Sequence, residues 1–60
     1  MKAGTKVRVL RGTWAGQEGV VLPFDDGSPF QLAMHLINAV EVKLESGETV
    51  QLPKNNLKPI

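Results

Sequence analysis

Val7-Arg8-Val9-Leu10-Arg11-Gly12-Thr13-Trp14-Ala15-Gly16-Gln17-Glu18-Gly19-Val20-Val21 is the stretch that decides the fold. It reads as strand, glycine-punctuated loop, strand. Val7 and Val9 alternate with Lys6 and Arg8, the period of a strand with one buried face. Gly12, Gly16 and Gly19 then punctuate the path into a second β-branched run. Glycine at such points permits positive φ or the close approach of another backbone.

Working outward, strand one is expected over Thr5 to Leu10 and strand two over Glu18 to Phe24. Asp25-Asp26-Gly27-Ser28 has the chemistry of a turn. Residues 29–38 are ambiguous. Phe30, Leu32, Met34 and Leu36 alternate with Gln31, Ala33 and His35, which favours an extended segment. Phe30, Ala33 or Met34, and Ile37 also fit one helical face, with Pro29 suited to a first helical turn. A single strand from 30 to 44 would be unusually long, so a bend or bulge is expected near Asn38. Strand three follows over Ala39 to Leu44, with Val40, Val42 and Leu44 as its apolar positions. Glu45-Ser46-Gly47-Glu48 is a hairpin turn, and Thr49 to Leu52 is strand four. Pro53 to Asn56 suits a 3₁₀ turn before a short closing strand, Leu57 to Ile60. Val7, Val9, Val21, Val40, Val42, Val50 and Leu52 are the predicted inward positions. Five short strands with regular turn signals imply one all-β domain over residues 1–60, a small barrel with an extended insertion between strands two and three.

The totals narrow the function. A chain of sixty residues buries only about 60% of the surface its unfolded form exposes, so partners or self-association would help it. The absence of cysteine excludes disulfides and thiolate metal sites. No apolar run approaches the roughly 18 residues of a membrane span, and residues 1–11 lack the apolar core of a secretory signal. A cytoplasmic location without membrane insertion is the expectation. The net charge of +1 says little, but its distribution is uneven. Lys2, Lys6, Arg8 and Arg11 open the chain, Lys54 and Lys58 close it, and the acids lie between with only Lys43 among them. Adjacent first and last strands would gather six of the seven cations on one side.

The spacing Val7, Val9, Gly12, Gly16, Gly19, Val21 resembles the KOW motif of ribosomal proteins and NusG-type transcription factors. The likeness to SH3-like barrels continues through Val40-Glu41-Val42 and Val50-Gln51-Leu52. It implies a five-stranded SH3-like barrel that contacts RNA or a ribonucleoprotein. Where KOW loops carry several cations, this chain has Thr13-Trp14-Ala15 and Gln17-Glu18. The opening Gly4 to Arg11, Trp14 with Gly19-Val20-Val21, and the ending Asn55-Asn56-Leu57 are also similar to the small SH3-like barrel proteins of photosystem I. That likeness implies an accessory component of a protein complex, photosynthetic electron transport included. Gly47 to Ile60 is more distantly similar to the end of type II dihydrofolate reductases, with Pro53 in the place of their tyrosine.

Lys6, Arg8, Arg11, Lys54 and Lys58 are the candidate contacts for nucleic acid or an acidic protein, weighed against a simply solvated charged face. Trp14 is either an exposed aromatic anchor or a lid over the barrel end. Phe30, Leu32, Met34 and Leu36 together exceed what so small an interior needs; core packing is the better reading for Phe30 and Leu36, and residues 29–38 are a candidate surface for a partner or for self-association. His35 stands alone, without the further ligands a metal requires, and Asp25 with Asp26 are explained by the turn. No nucleophile, phosphate loop or dinucleotide fingerprint is present, so neither an enzyme nor a cofactor is expected.

Overall fold

The alternating segments form strands in a computed structural model that describes residues 1–23, 33 and 37–60. The described strands are β1 (Lys6–Val9), β2 (Glu18–Val21), β3 (Ala39–Leu44), β4 (Thr49–Pro53) and β5 (Leu57–Pro59). They make one antiparallel sheet in the order β4-β3-β2-β1-β5. β3 covers the expected span. β1 and β2 are shorter than expected, although single bonds reach past their ends, from the Val21 amide to the Thr5 carbonyl and from the Leu22 amide to the Glu41 carbonyl. Asn38 has a φ of 58°, so the chain enters β3 through a left-handed residue at the place where a bend is expected. Of the segment 29–38, the described residues are Ala33, Ile37 and Asn38. Ala33 is helical and its carbonyl accepts from the Ile37 amide at 3.3 Å, four residues on, so at this residue the extended reading does not hold and the helical alternative does. The alternation of Phe30, Leu32, Met34 and Leu36 lies outside the described residues.

One face of the sheet carries the core. Val7, Val9, Val21, Val42, Leu44, Val50, Leu52 and Leu57 form one buried cluster, with Trp14 and Val40 packed against its margin. β-Branched side chains suit this pleated, half-covered surface. Six of the seven predicted inward positions are buried, and Val40 is the exception. Its neighbour on β4 is Leu52, but on the other side β2 has ended at Val21. Among the described residues the last bond from this side runs from the Leu22 amide to the Glu41 carbonyl, one residue short of Val40. Val40 is therefore flanked on one side only and stays half-buried.

Gly19 also faces the core, opposite Val7 on β1 and Leu44 on β3. A Cβ there would stand 2.5 Å from the Lys43 carbonyl oxygen and 2.9 Å from Val42 Cγ1. β3 crosses β2 too closely for any side chain, which is a direct reason for glycine at this position.

β4 and β5 are the two ends of the sheet order, yet only the 3₁₀ turn Lys54–Asn56 separates them. A flat sheet would put them four strand spacings apart, roughly 19 Å. A 3₁₀ turn of three residues advances only about 6 Å. The sheet is therefore curled around its apolar face. The turn is tied to both sides of the gap: the Leu10 amide donates to the Asn56 carbonyl at 2.8 Å, and the Lys54 amide to the Asn38 carbonyl at 3.0 Å. Residues 22–38 connect β2 to β3.

Candidate binding face

The other face is exposed at Lys6, Arg8, Val20, Lys43 and Lys58, half-buried at Leu22 and Glu41 and buried at Ala39, and register fixes what it displays. Directly paired residues of antiparallel strands project on the same side. Lys6 is opposite Val20, and Val20 is opposite Lys43. One row on the outer face therefore runs Lys6, Val20, Lys43. The next row runs Lys58, Arg8, Glu18, because Arg8 is opposite both Lys58 on β5 and Glu18 on β2.

Adjacency of β1 and β5 does bring cations from the two ends of the chain together. It does not separate them from the acids. Arg8 Nη2 lies 2.7 Å from Glu18 Oε2, an ion pair across adjacent strands. This hydrogen bond holds the Glu18 carboxyl below the ordinary glutamate value. Desolvation works against it, and the charges of Arg8 and Lys6 add to it. Lys43 shares the outer face with Lys6, and along its own stretch of chain it still stands between Glu41 and Glu45.

The other sequence candidates take different places. Arg11 Nη1 donates to Asn56 Oδ1 at 3.0 Å and to the Asn55 carbonyl at 3.3 Å, so this guanidinium fastens the 3₁₀ turn to the end of β1. Lys54 belongs to that turn and is half-buried. Lys6 and Lys58 are exposed and have no ion pair among the described residues. Trp14 is half-buried against the core, and its indole Nε1 donates to Glu48 Oε2 at 2.6 Å. The ring thus packs on the margin of the core with its polar edge engaged. Leu32, Met34 and Leu36, like His35, Asp25 and Asp26, lie outside the described residues.

Sequence reasoning passed over the middle of the outer face. Val20 is 41% exposed, and Leu22 follows it on the same side. With Lys6, Lys43 and Glu45 they line an open groove of about 380 Å³. The available signals were the doublet Val20-Val21, one member of which must face outward, and Lys43 as the lone cation of the acidic middle. Among the described residues there is no cluster of His, Cys, Asp or Glu fit to hold a metal ion, and no helix is long and apolar enough to cross a membrane.

Comparisons with protein-family models, with curated proteins and with solved structures found no match to this chain. The class that the described residues define is a small all-β domain of one curled antiparallel sheet with a mixed apolar and charged outer face.

Proposed function

We propose that this chain is a non-catalytic binding module, a five-stranded SH3-like barrel of KOW type, that docks onto an acidic protein surface within a larger complex. The observation that carries this reading is the outer row Lys6, Val20, Lys43, with Leu22 beside it: an exposed apolar centre between two cations. Protein interfaces combine an apolar centre with a polar rim in this way. The curl that places β4 and β5 on either side of one 3₁₀ turn supports the barrel, and the glycine spacing from Gly12 to Gly19 supports the KOW resemblance.

Contact with RNA or a ribonucleoprotein through Lys6, Arg8, Arg11, Lys54 and Lys58 is the second reading. One observation favours it. Arg8 and Lys58 are directly opposite on adjacent strands, where like charges destabilise a sheet and an anion would relieve them. Three observations weigh against it. Arg8 is paired with Glu18, Arg11 is engaged with the 3₁₀ turn, and Trp14 is half-buried against the core with its indole N–H held by Glu48, which leaves less of the ring for a base to stack on.

Binding to labelled polyglutamate and to a labelled single-stranded RNA of equal charge separates the two at about 0.15 M salt. The protein-docking reading expects polyglutamate to bind at least as tightly as RNA. Tighter binding of RNA, lost with Arg8→Glu and Lys58→Glu and falling steeply with salt, overturns it in favour of the second.

A further inference from the structure

We infer that the groove around Val20 receives an extended peptide segment whose single apolar side chain is flanked, two residues away on each side, by carboxylates. This rests on the protein-docking reading and narrows the partner to a local sequence pattern. Lys6 and Lys43 stand one strand spacing to either side of Val20, at about 4.8 Å each in backbone position. Both lysines are exposed, and neither has an ion pair among the described residues. Val20 supplies the apolar floor between them, and Leu22 extends it along β2.

An extended chain crossing the strands at this row places its residues i−2, i and i+2 on the same side, about 6.6 Å apart. The long, flexible lysine side chains make up the difference in spacing. The middle residue then meets Val20 and Leu22, and the outer two meet Lys6 and Lys43. Glu45 lines the same groove and repels a carboxylate placed at its centre. A uniformly acidic segment is therefore disfavoured relative to one with an apolar middle. The volume of about 380 Å³ is enough for one large aliphatic side chain with its neighbouring backbone.

The probe is a capped pentapeptide, Asp-Ser-Leu-Ser-Asp, titrated into the ¹⁵N-labelled full chain. Two control peptides carry serine for the leucine or asparagine for both aspartates. The expected result is saturable shifts centred on the amides of Val20, Leu22 and Lys43, with each control binding at least about fivefold more weakly. Lys6→Glu, Lys43→Glu and Val20→Ser should each weaken the first peptide by a similar factor while the chain still melts cooperatively. These three side chains are exposed, so the variants keep the core.

Equal binding of the leucine-free control overturns the inference, since charge alone would then suffice. Shifts centred on Arg8 and Lys58 overturn it by moving the site to the β1–β5 margin. Absence of binding also overturns it. If polyglutamate still binds in that case, the docking reading stands and only the peptide pattern fails. If polyglutamate fails too, both fall.

Discussion

The indole Nε1 of Trp14 donates a 2.6 Å hydrogen bond to Oε2 of Glu48, thirty-four residues along the chain. This bond joins the loop after β1 to the turn between β3 and β4. Those segments have no strand ladder in common. The ring meanwhile packs on the margin of the core, so one side chain both seals the apolar cluster and tethers two loops.

Trp14→Phe keeps most of the packing and removes the donor. In urea unfolding it should cost no more than about 1.5–3 kcal/mol, the range for a hydrogen bond to a charged group, because this bond is exposed to water. Trp14→Ala should cost more, by removing the ring that covers the core. Tryptophan emission in the native protein should lie to the blue of free indole and move red on unfolding. An emission maximum already at the solvent value under native conditions would contradict this packing.

Gly19→Ala should destabilise by about 1–3 kcal/mol or more, the range for overpacking a closed interior. The added carbon meets the backbone of β3, which cannot swing aside as a flexible side chain would. Gly16 provides the contrast. Nothing lies within 4 Å of a Cβ there, and its φ of 86° is the only obstacle. Gly16→Asn should therefore be tolerated, since asparagine accepts left-handed backbone, whereas Gly19→Asn should abolish folding. Equal midpoints for the two asparagine variants would show that the β2–β3 approach is looser than described.

The Arg8–Glu18 pair makes a signed prediction about pH. Its folded-state carboxyl lies below the ordinary glutamate value, and the unfolded chain has the ordinary value of about 4.3. The pair therefore contributes stability that is fully present above the unfolded value and is lost as pH falls through the folded one. Between native protein and Glu18→Gln, the difference in Tm should be constant from about pH 6 to pH 8 and shrink below about pH 4. Both side chains are partly exposed, so the difference should be small and should fall in high salt. A difference that persists unchanged to pH 2 would mean that another group holds Arg8.

The strands were legible because alternation is a local property. Lys6 to Val9 and Ala39 to Leu44 state their own period, and the turn residues Ser46-Gly47 bound the strands on either side. Glycine at position 19 was visible too, but not its reason. The sequence marks a permissive residue, and only the crossing of β3 shows that a Cβ would strike a carbonyl. Val40 carried the right parity and still fell short of burial, because parity says nothing about where the neighbouring strand ends.

By itself, then, the sequence determined an all-β chain, the places of its strands, and which side of each strand is apolar. It also determined that cations gather at the two ends of the chain. Tertiary structure decided which charges are available and which are committed. Arg8 opposite Glu18, Arg11 on Asn56, and Trp14 on Glu48 are pairings between residues ten to forty-five positions apart. Val20 between Lys6 and Lys43 likewise exists only through the register of three strands. The physical reason is that a charge or an exposed valine becomes a site through its neighbours across the sheet. Those neighbours are set by how the strands are shifted against one another, and the strand period does not encode that shift.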